Sequence, residues 1–334
     1  MRYCKLFIFK KGKMNTILSV QHVSKQFSLA SGFFAKKDKS VFAVNDVSFD
    51  IARGETYGLV GESGCGKTTT ARLLVRMYDL NEGTILFTDI DGTTHDISKL
   101  NHSELKLFRE KIKYIFQDPA RSLNPRLNVF DILTAGYRWS KKWPGKETAR
   151  REAAAILEQV GLEADDLDRK PNEFSGGQRQ RISIARALIM KPQFIICDEV
   201  VSALDVSIQG QILNLMQELK TKLNLSMLFI THDLKVSSWF CDRIGVMYRG
   251  VLVEEAPAAD LYKTAVHPYT KLLFNNSQEA HANANNEVKT MLTRESGCPY
   301  AHRCPLADDR CRSSLPEFTS CGENHKVRCF AAIK

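Results

Sequence analysis

The sequence predicts an α/β fold with a mostly parallel core sheet, and three observations support this prediction. Short apolar strands alternate with helical stretches along most of the chain, an order typical of parallel sheets. A glycine-rich loop directly follows one of these strands and opens a helix. The length of 334 residues, 43% of them hydrophobic, suits one large domain with an appendage or two modest domains.

The chain first shows two segments that alternate apolar and polar residues, as half-buried strands do. These segments are Ile17–Phe27 and Val41–Ile51, and the lysine-rich stretch Ser31–Ser40 between them predicts an exposed hairpin loop. Asp79–Thr93 predicts a further strand and turn. We therefore expect an antiparallel β subdomain beside the core sheet.

Short apolar segments predict the strands of the core sheet, and amphipathic segments predict the helices between them. The predicted strands are Thr56–Val60, Ile112–Phe116, Phe194–Cys197 and Met227–Thr231. The predicted helices are Thr68–Met77, Glu104–Lys111, Glu147–Gln159, Gln178–Ile189 and Ile208–Leu223. Residues 119–187 have a mainly helical pattern, so we expect a helical insert that interrupts the sheet.

Positive charge lies mainly at the two ends of the chain. Of the net charge of +9, residues 1–13 contribute +5 and residues 289–334 contribute +3. A nucleic-acid binder is expected to concentrate basic residues on its folded core, so we expect no nucleic-acid partner.

Residues 1–13 predict a basic leader that is disordered or not translated, with Met14 as the alternative start. No apolar stretch is long enough for a membrane span, so we expect a cytosolic chain that reaches a membrane through partners.

The segment Gly61-x4-Gly66-Lys67-Thr68 matches the pattern of a loop that holds phosphates. Its glycines let consecutive backbone N–H groups converge on an anion at the start of the following helix. Lys67 is expected to reach the β- and γ-phosphates and Thr68 to bind Mg²⁺. The sequence therefore predicts ATP and Mg²⁺ as ligands. The residues predicted to contact the nucleotide here are Gly61, Glu62, Ser63, Gly64, Cys65, Gly66, Lys67, Thr68 and Thr69.

Two adjacent carboxylates end the apolar segment Phe194–Cys197. A strand end places both at the sheet edge where phosphate loops lie. Asp198 is expected to hold Mg²⁺ through water, and Glu199 to orient or deprotonate the water that attacks the γ-phosphate.

The segment Ser175-Gly176-Gly177-Gln178 predicts a second anion site. Its glycines permit close approach of the backbone to phosphate, Ser175 can donate to a γ-phosphate oxygen, and the following helix directs its positive end there. One chain scarcely needs two such sites for one triphosphate. Two subunits packed head to tail would each offer this segment to the other, so the order of motifs predicts an ATPase that works in pairs.

Together these motifs resemble those of the ATP-binding subunits of ABC transporters, over about residues 15–270. The resemblance implies a P-loop NTPase fold of the ABC type, with the nucleotide-binding domain at residues 14–272 and its helical subdomain at about 119–187. It also implies ATP hydrolysis coupled to transport.

The same resemblance implies roles for four further residues. Phe27 would stack on adenine, with a core phenylalanine as the alternative. Gln117 would sense the γ-phosphate and Mg²⁺, and His232 would contact the γ-phosphate. Asp205 belongs to a segment similar to the loop that couples the two active sites of the family.

Several longer segments resemble the F-type ATPases of oligopeptide and dipeptide importers. They are Phe116–Pro119, Ser122–Arg126, Asp198–Ser207 and His267–Thr270. This likeness implies a second, different ATPase subunit, two transmembrane permease subunits, an external substrate-binding protein and a place on the cytoplasmic face of the membrane. Importers of nickel, glutathione or oligosaccharides look similar and remain alternatives. An ATPase of this fold acting on DNA or ribosomes is a further alternative.

Residues 273–334 predict a polar linker followed by a Cys-rich C-terminal extension. Five of the nine cysteines fall within residues 298–329. The spacing Cys298-x5-Cys304-x6-Cys311-x17-Cys329 resembles the C-terminal cysteine motif of these subunits and implies a [4Fe-4S] cluster. Zinc and reduced thiols remain alternatives, although the C-x2-C pairs typical of zinc sites are absent. Cys321 is a fifth thiol, which leaves the third and fourth ligands open.

Overall fold

The structure is a computed structural model that describes residues 16–28, 40–275 and 296–332. The predicted basic leader at residues 1–13, nearly all of the predicted hairpin loop and nearly all of the predicted linker lie outside these residues. The strands are β1 (Thr16–Ser28), β2 (Ser40–Ala52), β3 (Thr56–Val60), β4 (Glu82–Thr88), β5 (Thr94–Asp96), β6 (Ile112–Ile115), β7 (Phe194–Asp198), β8 (Ser226–Thr231), β9 (Arg243–Tyr248), β10 (Val251–Pro257), β11 (Thr319–Gly322) and β12 (His325–Val327).

The described α-helices connect and cover these strands. They are α1 (Lys67–Leu74), α2 (His102–Lys111), α3 (Pro119–Ser122), α4 (Val129–Thr134), α5 (Lys146–Gln159), α6 (Gly176–Leu188), α7 (Val206–Leu223), α8 (Leu234–Phe240), α9 (Ala258–Thr264), α10 (Pro268–Asn275) and α11 (Asp309–Ser313). Short 3-10 helices lie at Ile97–Lys99, Ala164–Asp168, Pro171–Glu173 and Phe330–Ala332.

The smaller sheet has the order β2-β1-β4-β5, and all of its neighbouring strands are antiparallel. The alternation in the sequence places apolar side chains on one face of this sheet. Leu18, Val20 and Ile51 are buried in a hydrophobic core, and the polar residues adjacent to them in the chain are not buried. The predicted antiparallel β subdomain is therefore confirmed.

The larger sheet has the order β11-β12-β10-β9-β3-β8-β7-β6. Its five strands from β9 to β6 are parallel, and β10, β12 and β11 extend it in antiparallel fashion. β3 and β7 are buried on both faces: Phe194 and Ile196 join one hydrophobic core, and Ile195 and Cys197 join the other. Continuous apolar runs are what such strands require. The mostly parallel sheet predicted from the sequence is confirmed.

The region predicted as a helical insert contains α3, α4, α5 and most of α6, together with two 3-10 helices. Apolar residues of these helices, among them Phe130, Leu157 and Ile184, belong to the larger hydrophobic core. α6 starts at Gly176, and the chain then returns to the sheet through β7, which lies between β8 and the edge strand β6. The insert is therefore joined to the sheet directly through α6.

The C-terminal residues continue the larger sheet. β12 pairs with β10, with Glu254 opposite Val327. The side chain of Glu254 is fully buried; it accepts hydrogen bonds from the backbone N–H groups of Val266 and His267 and lies 2.7 Å from Nε2 of His325. A buried carboxylate with three partners ties β12 firmly to the segment that precedes α10. Among the described helices, none has the length and hydrophobicity needed to cross a membrane.

Candidate nucleotide site

The phosphate loop leaves β3 and ends where α1 begins. Gly61, Gly64 and Gly66 adopt φ angles of 152°, 79° and 109°, in the region that favours glycine. A Cβ atom at Gly61 would lie 2.1 Å from the carbonyl oxygen of Met247, and one at Gly66 would lie 2.2 Å from that of Ala43. The backbone conformation that aims N–H groups at a phosphate is thus available here only to glycine.

Lys67 opens α1 beneath this loop. Its Nζ donates to the carbonyl oxygens of Gly61 and Glu62 at 2.7 and 2.8 Å, and the residue is only 4% exposed. A buried ammonium group beside a glycine-rich loop at a helix N-terminus favours a bound anion. This is the arrangement that the sequence motif predicts.

Asp198, at the end of β7, lies beside Thr68, the second residue of α1. The hydroxyl of Thr68 donates to Oδ1 of Asp198 at 3.1 Å, so these two predicted Mg²⁺ ligands lie next to each other. Burial raises the pKa of Asp198, and hydrogen bonds from Tyr114 and Thr68 partly oppose this effect. Carboxylate and hydroxyl oxygens are ligands that Mg²⁺ accepts.

The Tyr114 hydroxyl donates to Oδ2 of Asp198 at 2.5 Å. The sequence analysis did not identify this residue. The available signal was its position near the end of β6, the strand next to β7 in the parallel sheet. Burial and the neighbouring Asp198 raise the pKa of Tyr114, so the phenol remains a hydrogen-bond donor at neutral pH.

Glu199 sits immediately after β7 between two predicted site residues. Nε2 of Gln117 donates to its Oε2 at 2.6 Å, and Nδ1 of His232 lies 3.6 Å from its Oε1. The backbone of Glu199 has φ 49°, a left-handed conformation that is uncommon for a non-glycine residue and that directs the side chain out of the strand. The structure therefore brings together all three predicted catalytic residues.

The electrostatics of this group favour an ionised carboxylate. The interaction with His232 lowers the pKa of Glu199, and the same interaction raises the pKa of His232. At neutral pH the carboxylate is available to accept a proton or to align a water molecule.

The Ser175 segment forms the N-terminus of α6. Oγ of Ser175 accepts from the backbone N–H of Gln178 at 3.3 Å, and Oε1 of Gln178 accepts from the N–H of Ser175 at 2.9 Å. This capping box stabilises the first turn of the helix. Ser175 and Gly176 are exposed, and a Cβ at Gly177 would meet Cγ2 of Ile208 at 2.8 Å. Asp205, which directly precedes α7, is also exposed.

Phe27 lies near the end of β1. Its ring contacts that of Tyr78 edge-on with 5.2 Å between centroids, and Nζ of Lys25 lies 5.2 Å from its centroid. The chain itself therefore supplies contacts to part of this ring. Adenine stacking on Phe27 stays a prediction.

The four cysteines of the C-terminal motif lie in one neighbourhood. The backbone N–H of Cys298 donates to the carbonyl of Cys311 at 2.7 Å. Burial raises the pKa of Cys298 to about 11, and Cys311, Cys329 and Cys304 add to this effect. The exposed Cys321 is different, since its Sγ contacts the carbonyl of His325. Within the described residues, however, no three His, Cys, Asp or Glu side chains are arranged to hold a metal ion.

This fold and site define an ABC-type ATP-binding subunit, and comparisons with known proteins agree. The chain matches the ABC transporter family over residues 44–202 and the family "oligopeptide/dipeptide transporter, C-terminal region" over residues 253–311. It is 42% identical to the oligopeptide transport ATP-binding protein AppF of Bacillus subtilis, an alignment that covers 94% of this chain and 97% of AppF. It is 48% identical to OppF of the same organism over 78% of this chain and 81% of OppF.

Solved structures show the same likeness. The ATP-binding cassette MJ0796, in a dimeric post-hydrolysis state bound to ADP and phosphate, is 28% identical and superimposes with a TM-score of 0.61 over 72% of this chain and 99% of the cassette. The chain belongs to the family of ABC transporter ATP-binding subunits that carry the oligopeptide/dipeptide transporter C-terminal region. It is therefore an ATPase that uses ATP and Mg²⁺.

Proposed function

We propose that this chain is the F-type ATPase that energises import of dipeptides or oligopeptides through partner membrane subunits. The observation that carries the proposal is the group formed by Gln117, Glu199 and His232, which adjoins Lys67, Thr68 and Asp198. The match of residues 253–311 to the peptide-transporter C-terminal region supports the peptide cargo.

Within this proposal each residue has a separate role. The phosphate loop and Lys67 bind the β- and γ-phosphates. Thr68, Gln117 and, through water, Asp198 would hold Mg²⁺, which would draw charge from the phosphates. Glu199 would orient the attacking water and accept its proton, and the His232 imidazole would contact the γ-phosphate. Tyr114 keeps the Asp198 carboxylate in place through its hydroxyl.

The exposed start of α6 supports a site shared by two subunits. Ser175, Gly176, Gly177 and Gln178 form a rigid, capped helix N-terminus that faces outward and can close over a triphosphate bound to a neighbouring subunit. The related MJ0796 cassette is dimeric. The proposed neighbour is a second, different ATPase, and Asp205 lies on the loop that connects the two sites.

Transport follows if ATP binds the closed pair more tightly than the open pair. ATP then shifts the population towards the closed pair, and hydrolysis releases it. Two permease subunits convert this movement into alternating access, and an external binding protein delivers the cargo. The chain then lies on the cytoplasmic face of the membrane. The same motor could serve nickel, glutathione or oligosaccharide importers, since the ATPase does not contact the cargo.

A transport assay tests this proposal. Cells whose own copy is replaced by the Glu199→Gln variant are expected to lose uptake of a radiolabelled tripeptide, while uptake of an amino acid through an unrelated carrier is unchanged. The variant should purify together with hydrophobic membrane subunits. Normal tripeptide uptake, or purification with ribosomes or DNA instead, would reject the transport role.

We further propose that Cys298, Cys304, Cys311 and Cys329 are the ligands of a [4Fe-4S] cluster, with Cys321 outside the set. The pKa of each of these four thiols is raised in part by at least one of the other three, which indicates that the four lie close together. Binding requires their side chains to reorient and lose protons. Anaerobically purified protein is expected to contain about four iron atoms and to absorb near about 400 nm. Cys321→Ser should keep both signals and Cys304→Ser should lose them; protein with zinc or no metal rejects the cluster.

A further inference from the structure

The phosphate loop contains an acidic residue, Glu62, whose negative charge would oppose ATP binding if the carboxylate faced the phosphates. Its carbonyl oxygen accepts from Lys67 Nζ at 2.8 Å, so the residue belongs to the loop that holds the triphosphate. An uncompensated carboxylate beside a triphosphate repels it, and this repulsion is strong where water is partly excluded. The side chain of Glu62 is only 12% exposed.

The C-terminal extension supplies a positive charge to this carboxylate. Nη1 of Arg303 lies 3.5 Å from Oε1 of Glu62, although the two residues are 241 positions apart in the chain. The Arg303 side chain is 17% exposed, so solvent screens the pair only in part. Arg303 directly precedes Cys304, one of the cysteines of the C-terminal motif.

A second contact to Glu62 comes from α10, which precedes the C-terminal extension. The hydroxyl of Tyr269 accepts from the backbone N–H of Glu62 at 3.0 Å. The ring of Tyr300 packs against those of Tyr269 and Tyr248, with centroid distances of 5.4 and 5.2 Å, and the Arg303 guanidinium lies 5.8 Å from the Tyr300 centroid. These buried aromatic rings fix Arg303 at the edge of the phosphate loop.

We propose that Arg303 is a positioning residue for ATP binding. It neutralises the Glu62 carboxylate and holds it away from the phosphates, while Tyr269 fixes the backbone of the same residue. The Cys-rich extension thereby becomes part of the nucleotide site. This role of Arg303 rests on the proposal that the phosphate loop binds ATP. The Lys67→Ala variant tests that proposal separately, because it should lose ATP binding even when Arg303 is present.

The test is the dissociation constant of a fluorescent ATP analogue for the full-length chain. Arg303→Ala is expected to weaken binding about fivefold, the scale of a partly screened charge pair, and to raise KM for ATP more than it lowers kcat. Arg303→Lys keeps the charge and should bind within about twofold of the wild type. Arg310→Ala is the matched control, since Arg310 lies in the same extension and pairs with Asp308 at 2.7 Å. The affinity of this variant for the ATP analogue should equal that of the wild type.

The double variant Glu62→Gln/Arg303→Ala separates charge compensation from a general structural defect. Once the carboxylate is gone, loss of Arg303 should lower ATP affinity much less than it does in the wild type, so the double variant should bind nearly as well as Glu62→Gln alone. The fivefold effect of Arg303→Ala should also shrink at high salt. The proposal is overturned if the effects of the two substitutions simply add, if Arg303→Ala binds ATP normally, or if the difference in affinity between Arg303→Ala and the wild type is the same at high and low salt.

Discussion

A buried neutral histidine makes the stability of this protein sensitive to acid. His267 is 1% exposed at the start of α10, and its Nδ1 accepts from the backbone N–H of Tyr269 at 3.1 Å. Its backbone N–H donates to Glu254, which also pairs with His325, and the centroid of the Tyr300 ring lies 5.8 Å from that of the imidazole. Burial lowers the pKa of His267 from 6.5 to about 4.

The magnitude follows from proton linkage. Below pH 6.5 the unfolded chain binds a proton at this histidine that the folded chain does not bind until the pH approaches about 4. Stability is therefore lost as the pH falls from 6.5 towards 4. At pH 5 this single group costs about 2 kcal/mol of unfolding free energy, and the full effect is about 3 kcal/mol.

The assay compares the wild type with His267→Asn, in which the asparagine oxygen can accept the same N–H bond but does not titrate. Urea unfolding at pH 7.5 and pH 5 gives the change in unfolding free energy for each protein. All other titrating groups are common to both proteins, so the wild type should lose about 2 kcal/mol more than the variant. Equal losses in the two proteins would refute a buried neutral His267.

Three further predictions concern the nucleotide site. Glu199→Gln should still bind ATP but lose about 10²–10⁴-fold in hydrolysis, measured by phosphate release; near-normal turnover would refute the role of Glu199. Tyr114→Phe removes a hydrogen bond to Asp198 and should shift the Mg²⁺ dependence of ATPase activity to concentrations about 3- to 10-fold higher; an unchanged dependence would exclude this role. His232→Gln removes the interaction that lowers the pKa of Glu199, so the acidic limb of the kcat/KM profile should move to higher pH; an unmoved limb would contradict the pairing.

The sequence predicted the core strands well because their apolar runs are buried on both faces. Thr56–Val60 was predicted with the bounds that β3 has in the structure. The helix predicted at Thr68–Met77 ends earlier, at Leu74, because Arg76 adopts a left-handed conformation with φ 50°. The pattern of apolar and polar residues does not reveal a left-handed backbone conformation when the residue that adopts it is not glycine.

The strands β9, β10, β11 and β12 were not predicted. β9 and β10 form a hairpin whose two-residue turn places Arg249 and Gly250 at φ 43° and 81°, as a type I′ turn requires. β11 and β12 have only four and three residues, and β12 becomes a strand by pairing with β10.

The residues of the phosphate loop and the acidic pair could be predicted because each motif is local. Tyr114, Tyr269 and Arg303 were missed, since their partners lie 84, 207 and 241 residues away in the chain. Their contacts exist only after the sheet has assembled and the C-terminal residues have packed beside the phosphate loop.

The central claim is that two subunits enclose each ATP, and the structure of the Glu199→Gln protein assembled with its partner ATPase and Mg²⁺-ATP tests it most directly. We predict a triphosphate bound to Lys67 on one side and covered by a helix N-terminus of the other subunit, with Ser175 of this chain covering the second nucleotide. Nucleotides bound within single subunits, with the Ser175 segment turned away into solvent, would contradict the account.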